Sequence, residues 1–347
     1  MNILIIRLGS LGDVILTTSI PSMLKERFPD AKIDFLVKKE FAAVLKNNPS
    51  INNIISLDSR GENKGISGLV KMARMLRQNR YSDIIDLHSN LRSRMLSLLL
   101  FAVRTSRYKK QVIRRRLLKL GFKMKTAHTV EAYTGALSRF NIPRKKEVPR
   151  LYPTEHESAS AEGRLKSLGI DKNIKLIGFN SGAKWPTKMW PEENFAQLGK
   201  MITEGPDCRV IIFGGSDEEA MGRRLAEAIG PKAVSLAGQT SLRESAALIQ
   251  RCHLFITNDS GPMHMATALG TPVIAIFGPT VEGFGFSPLG RSRVIEQDLP
   301  CRPCSLHGSR ECPKGHFRCM RDISAEYILE VAKDELAKSL NSDAPPL

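Results

Sequence analysis

The chain has 347 residues, long for a single core and comfortable for two domains. Its hydrophobic (42%) and charged (25%) fractions exclude wholesale disorder, and its longest apolar run, Met95 to Val103, is about half of what a bilayer-spanning helix needs. The net charge of +17 is uneven: residues 1–150 hold 30 Lys and Arg against 11 Asp and Glu, and the remainder holds 22 against 24.

Asn2 to Leu8 is an apolar run that ends at a glycine loop, and reads as a first strand. Val14 to Arg27 has helical spacing, with Ile15, Ile20, Leu24 and Phe28 as its buried face. Strands follow at Ile33 to Val37, Ile54 to Leu57 and Asp83 to Leu87, with helices at Leu69 to Gln78 and Leu91 to Val103. Arg104 to Lys125 then carries ten basic residues and no acid. Such a stretch points to a polyanionic partner: nucleic acid, an anionic membrane or a phosphorylated substrate. The plainer alternative is a solvated helix face. A helix from about Val130 to Phe140 and a Pro-rich connection, Ile142 to Pro153, close the first half.

The second half repeats the alternation. Strands are expected at Leu176 to Asn180, Arg209 to Phe213, Val234 to Leu236, Leu254 to Thr257 and Pro272 to Phe277. Helices are expected at Glu192 to Ile202, Glu218 to Ile229, Leu242 to Gln250, Pro262 to Leu269 and Ala325 to Leu340, the last with Ser324 as N-cap. Repeated βαβ units imply parallel sheets. The fold class is therefore α/β: two tandem, doubly wound, Rossmann-like domains facing a central cleft. The expected boundaries are residues 1–150, residues 151–322 including a Cys-rich segment at 301–319, and a C-terminal helix and tail at 323–347. The N-terminus has no basic n-region and its apolar stretch is broken by Arg7 and Asp13, so no signal peptide is read and the cytoplasm is the expected location.

Three loops carry chemistry. In Gly9-Ser10-Leu11-Gly12-Asp13, the glycines permit a tight turn and close approach of a ligand. Asp13 is either a general base for a substrate hydroxyl or only a helix cap. In Asn258-Asp259-Ser260-Gly261-Pro262-Met263-His264, a strand gives way to a helix whose first N–H groups suit a phosphate. Read alone, Asp259 and Ser260 are ordinary caps there, and His264 is a packed or capping histidine. The loop Asn180 to Pro191 places Lys184 and Lys188 where a lysine can neutralise a diphosphate leaving group; read alone, both are surface lysines.

Neither G-x-G-x-x-G, nor a Walker A sequence, nor a D-x-D triplet occurs. The first absence argues against a nucleotide-cofactor oxidoreductase. The third removes the usual carboxylates for a divalent metal on a nucleotide sugar. Cys301, Cys304, Cys312 and Cys319 have a spacing compatible with structural zinc, with free thiols and a redox pair as alternatives.

Together the Gly9 to Asp13 opening, Lys188-Met189-Trp190-Pro191 and Asn258-Asp259-Ser260-Gly261-x-x-His264 resemble the lipopolysaccharide heptosyltransferases of glycosyltransferase family 9, from residue 1 to about 330. The Cys-rich segment looks like that of some members. Pro262 stands where many members have Leu. The resemblance implies a GT-B fold and inverting transfer of heptose from ADP-L-glycero-D-manno-heptose to a lipopolysaccharide inner-core acceptor, with no cofactor needed for catalysis. It makes Asp13 the general base and puts Thr187, Lys188, Asp259, Ser260, Gly261 and His264 on the donor. Ser10, Gly12, Arg60, Arg114 and Arg115 are expected on the acceptor, a phosphorylated lipid-linked glycan. A transferase of the same fold using another nucleotide sugar is the alternative. Few aromatics and no recognised module in the basic stretch argue against nucleic acid. Leu117, Leu118, Leu120 and Phe122 beside Arg114 to Arg116 fit an interfacial helix, peripheral on the inner face of the cytoplasmic membrane.

Overall fold

The structure is a computed structural model that describes residues 1–101, 104–122, 124 and 126–340. The polar tail at 341–347, the last two residues of the helix expected at Leu91 to Val103, and Lys123 and Lys125 of the basic stretch lie outside the described residues. The chain divides into two compact units, residues 1–112 with 127–152, and residues 113–126 with 153–347.

The first unit is built on β1 (Asn2–Ile6), α1 (Leu11–Ile15), α2 (Ser19–Arg27), β2 (Lys32–Lys38), β3 (Asn53–Leu57), α3 (Gly65–Arg77), β4 (Asp83–Asp86), α4 (Leu91–Leu99) and β5 (Arg104–Arg107). Its five strands lie in the order β3-β2-β1-β4-β5, and every pairing is parallel. Ile3 to Ile6 have no exposure at all, because a parallel sheet is covered on both faces. On one face Leu4, Ile6, Leu36, Leu69, Met72, Leu76 and Ile84 pack into one cluster.

The helix expected over Val14 to Arg27 is two helices. The Thr17 hydroxyl donates to the Val14 carbonyl at 2.7 Å, and that of Thr18 to Ile15 at 2.8 Å. Side chains bonded back to carbonyls three residues earlier compete with the helical ladder, and the helix breaks there. The start of the basic stretch is the edge strand β5, not helix or loop. Asp83, buried in β4, meets the Arg104 and Arg139 guanidinium groups at 3.3 Å each. Charged side chains also keep such an edge from pairing further.

Helix α5 (Val112–Lys119) counts with the second unit apart from its first residue, and α6 (Thr129–Thr134), followed by a 3-10 turn over Gly135–Phe140, returns to the first. The second unit continues with α7 (Glu155–Ser167), β6 (Lys175–Asn180), α8 (Glu192–Thr203), β7 (Cys208–Ile212), α9 (Glu219–Ile229), β8 (Ala233–Ser235), α10 (Leu242–Gln250), β9 (Leu254–Asn258), α11 (Gly261–Ala268), β10 (Val273–Phe277), β11 (Ser292–Glu296), α12 (Arg318–Arg321) and α13 (Ala325–Leu340). Its strand order is β11-β10-β9-β6-β7-β8, again all parallel. Trp190 is sealed into this core. Its indole N–H donates to the Ile323 carbonyl at 3.0 Å, and its ring meets Phe195 edge-on at 4.9 Å between centroids.

Each sheet has a switch point, where consecutive crossovers leave in opposite directions. It lies between β1 and β4 in the first and between β6 and β9 in the second. In open α/β sheets the carboxyl ends of such strands are where ligands bind.

Helix α7 is anchored by Glu157. Its carboxylate closes a capping box, accepting the Thr154 N–H at 2.8 Å, and also accepts Arg243 Nε at 2.7 Å. The Arg243 hydrogen bonds, opposed by burial, bring its pKa down to about 2 from 4.5. A lowered carboxylate pKa contributes stability above pH 4.5 that is lost as pH falls through about 2. Arg243→Met is therefore expected to lower stability at neutral pH by about 1–3 kcal/mol and to flatten the acid limb of a denaturation series. An unchanged slope of stability against pH between those two values would refute this account.

Candidate functional sites at the two switch points

At the end of β1, the Arg7 side chain is buried against β4. It donates one N–H to the Leu87 carbonyl at 2.6 Å and pairs with Asp13 Oδ2 at 2.7 Å. Gly9 permits this loop. Its φ is +154°, and a Cβ there would lie 2.6 Å from the Phe41 ring. Asp13 sits in the first turn of α1, and its Oδ2 also accepts the Ser10 N–H at 3.3 Å and the Ser10 hydroxyl at 3.0 Å. Among the described residues, Oδ1 accepts only the Tyr133 hydroxyl, at 3.0 Å. Asp13 is thus a cap and more than a cap. One oxygen is saturated and the other keeps a lone pair, on a side chain still 23% exposed.

Burial pushes the Asp13 pKa up, but Arg7 first, then Ser10 and Tyr133, hold it below the ordinary carboxylate value. Tyr133 is held well above the usual phenol value, mainly by burial, so it is a hydroxyl donor and not a phenolate. The Arg7 guanidinium also lies over the Tyr133 ring, 5.3 Å from its centroid. A carboxylate held ionised, oriented and open on one oxygen is equipped to take a proton from a hydroxyl.

In the second unit, Asn180, at the end of β6, accepts the Ser260 hydroxyl at 3.1 Å, and Asn258, at the end of β9, donates to the Ser181 carbonyl at 2.7 Å. Ser260 precedes α11, yet its hydroxyl is turned to Asn180 and does not cap the helix. The first N–H groups of α11 are left for an anion. The Ser181 hydroxyl is buried without a hydrogen-bond partner among the described residues. Lys188 Nζ pairs with Asp259 Oδ2 at 2.5 Å, and the Thr280 hydroxyl donates to the same oxygen at 2.7 Å. A nearly buried ammonium, a bare helix start and the Ser181 hydroxyl are equipped to meet a phosphate.

The Lys188 loop is strapped from behind. Thr187 Oγ1 accepts the Ser309 N–H at 2.8 Å and donates to the Ser309 carbonyl at 2.9 Å. Gly308 (φ +97°) lies where a Cβ would sit 2.6 Å from Trp185. Arg302, almost fully buried, gathers the carbonyls of Gly278, Gln297 and Thr280 and the Glu296 carboxylate. The Cys-rich segment is therefore a brace for the loop. Burial raises the thiol pKa of Cys304, and raises that of Cys319 to about 11, with Cys301 and Cys312 adding to both. Cys301 Sγ lies 3.7 Å from His316 Nε2. Among the described residues, no group of three or more His, Cys, Asp or Glu side chains is gathered closely enough to hold a metal ion.

The first unit brings Asp13, Ser10 and Gly12 together on one loop and helix start. Arg60 is an exposed turn residue after β3. Arg114 and Arg115 count with the second unit, where Arg115 donates to the Phe284 carbonyl at 2.9 Å and lies over the Phe286 ring. They do not share a unit with Ser10, Gly12 and Arg60, as the sequence reading had them. Thr187, Lys188, Asp259, Ser260 and Gly261 are gathered at the second switch point, with His264 buried in α11. Arg7, Tyr133, Ser181 and Thr280 were not read as site residues. Arg7 had one signal, a charge at the end of an apolar strand, whereas Tyr133 lies 120 residues from its partner.

The sequence profile of glycosyltransferase family 9 (heptosyltransferase) matches residues 69–314. The lipooligosaccharide heptosyltransferase 2 of Haemophilus influenzae is 29% identical, over 97% of this chain and 100% of its own. Among solved structures, a glycosyltransferase family 9 protein of Veillonella parvula superposes with a TM-score of 0.83 at 26% identity, covering 97% of each chain. The ADP-heptose LPS heptosyltransferase II of Escherichia coli superposes with 0.78 at 25% identity, covering 98% of this chain and 99% of that one. With these likenesses added to the two parallel sheets and their loops, the chain belongs to glycosyltransferase family 9 and is a glycosyltransferase of the GT-B fold.

Proposed function

We propose that this enzyme transfers L-glycero-D-manno-heptose from its ADP donor to a lipopolysaccharide inner-core acceptor, with inversion and without a catalytic metal. The names of the Haemophilus and Escherichia relatives support the sugar and the acceptor class. The observation that carries the mechanism is the Asp13 carboxylate with one open oxygen. The acceptor hydroxyl attacks the anomeric carbon from the face opposite the leaving group, and Oδ1 of Asp13 takes its proton. The bond from the anomeric carbon to the diphosphate breaks, and the nucleoside diphosphate leaves as an anion. Lys188, the start of α11 and the Ser181 hydroxyl stabilise that charge, so no acid is needed for the leaving group. Asp13 is a weak base, which suffices because the hydroxyl becomes acidic only as the new bond forms.

Helix α5 supplies a means of meeting a lipid-linked acceptor. Ile113, Leu120 and Phe122 are exposed among Arg114, Arg116 and Lys119. No helix of the described residues is long and apolar enough to cross a membrane. An apolar patch ringed by cations suits the surface of an anionic leaflet, on the inner face of the cytoplasmic membrane. Ile113→Ser with Phe122→Ser is expected to reduce co-sedimentation with phosphatidylglycerol vesicles while sparing ADP binding. Retained vesicle binding in the pair variant would remove this role from α5.

Ligands that bind only the folded chain raise its melting temperature. ADP and ADP-heptose are expected to do so, and UDP, GDP and NAD are not; stabilisation by UDP or GDP would keep the fold and overturn the donor. Asp13→Asn is expected to lower transfer by at least about a thousandfold with ADP affinity nearly unchanged. Equal loss of both would demote Asp13 to a structural cap. Arg7→Met and Tyr133→Phe each remove a group that holds the Asp13 pKa down, so the acid limb of kcat against pH is expected to move upward in both. A fall in kcat with an unmoved acid limb would show that these two side chains serve the fold and not the base.

A further inference from the structure

Parallel strands end together, and the ends of four neighbouring strands in the first unit bring cations into one row. Lys38 ends β2, Arg7 follows β1, His88 lies two residues beyond β4, and Lys110 lies three beyond β5. The ladder continues past the strands and fixes this alignment. Lys38 N–H donates to the Leu8 carbonyl, Leu87 N–H to Ile6, and Tyr108 N–H to Asp86. Arg94 lies in the first turn of α4, the helix that leaves β4. Beneath the row Asp86 is fully buried and spent on the N–H groups of His88 and Ser89 and on the Ser93 hydroxyl, at 3.0, 2.8 and 2.9 Å.

The charges in this row are poorly balanced. Arg7 is committed to Asp13 and to the Leu87 carbonyl. Lys38 has only a loose, exposed pair with Glu40 at 3.6 Å. Arg94 and Lys110 are exposed, and among the described residues neither has a carboxylate at ion-pair distance. Burial, then Arg7, Lys110 and Lys38, push the His88 pKa down to about 4, so its imidazole is neutral near pH 7. Its Nδ1 is shielded from solvent and has no hydrogen-bond partner among the described residues. Lys110 is likewise pushed down by partial burial and by Arg7 and Arg94, against the pull of Asp86 and Asp13. On an ordinary solvated face such cations spread apart. Here the fold gathers them at a switch point, where they repel one another until an anion arrives.

We infer that Lys110, Arg94, Lys38 and the imidazole of His88 form a subsite for an oxyanion of the acceptor, a phosphate or a carboxylate, next to the Asp13 carboxylate. This rests on the glycosyl-transfer reading above and deepens it, because an anchored oxyanion sets which acceptor hydroxyl meets Asp13. The lysines and arginine supply charge, and His88 supplies a directed hydrogen bond.

The test uses the full chain with isotope-labelled histidine and saturating ADP, so that the phosphate-binding set of the second unit is occupied. Inorganic phosphate and acetate are titrated separately while the His88 resonance is followed. The expected result is a saturable movement of His88 with one or both anions, the tighter one naming the oxyanion. In the Lys110→Gln, Arg94→Gln double variant the apparent Kd is expected to rise by about tenfold or more. The acceptor KM is expected to rise to a similar extent, with kcat, donor KM and ADP affinity within about twofold, as for lost ground-state binding. The exposed Lys172→Gln serves as the control for a simple change in net charge. A His88 signal that ignores both anions, or moves equally in the double variant, would overturn the subsite. If ADP itself fails to bind the wild-type chain, the glycosyl-transfer reading fails, and the His88 titration without ADP still reports on the anion site.

Discussion

The constraint from which the rest of this molecule follows is that every strand in both sheets runs the same way. Parallel strands cannot be joined by tight turns, so each is followed by a crossover that covers a face of its sheet. The faces are thereby used up, and polar chemistry is left to one edge, where all the carboxyl ends collect. Where the crossovers part, a gap opens between two loops. In the first unit it receives Arg7, Asp13 and His88, and in the second Asn180, Ser181, Asp259 and Ser260. The two units thus apply one geometric rule to opposite electrostatic tasks. One holds a carboxylate ionised amid cations, and the other sets an ammonium paired with Asp259 beside an uncapped helix start.

Within those sites, the groups proposed to meet substrate are held by groups behind them. Arg7 and Tyr133 fix which oxygen of Asp13 is free. Thr280 and Asp259 fix Lys188, and Ser309 fixes the turn before it. Arg302 in turn fixes the segment that carries Ser309, through carbonyls at the end of β10. Burial gives these contacts their strength, since a charge withdrawn from water must be matched by neighbours. The same burial keeps the thiols of Cys304 and Cys319 protonated, which suits a brace better than a reactive centre.

The strands β1, β2, β4, β6, β9 and β10 were legible in the sequence because burial on both faces favours adjacent Ile, Leu, Val and Phe, even where an Asp interrupts them, as in β2, or flanks them, as in β4. The loops that follow them were legible for a related reason: a glycine or a cap residue must appear where a buried strand turns toward a helix. What escaped lies at the margins. Strand β5 reads Arg-Thr-Ser-Arg and β11 reads Ser-Arg-Val-Ile-Glu, and edge strands carry charge facing solvent and offer little apolar pattern to read. The break between α1 and α2 turns on two threonine hydroxyls, which no hydrophobic period records. Arg114 and Arg115 were grouped with the first half by proximity in sequence, whereas α5 packs with residues some 170 positions later. Long-range pairs such as Asp13 with Tyr133 leave no local trace.

That last pair has a consequence for how the first unit comes into being. Asp13 and Arg7 are among the first residues of the chain, but Tyr133 lies beyond the excursion at 113–126, on the piece that returns to complete the unit. A nascent chain that has emerged only to α5 therefore holds the carboxylate and the guanidinium without the phenol over which that guanidinium lies. The Asp13 carboxylate gains its hydrogen bond from Tyr133 only when the chain comes back. A fragment ending before residue 127 would carry the whole five-stranded sheet but leave Asp13 and Arg7 without the Tyr133 phenol.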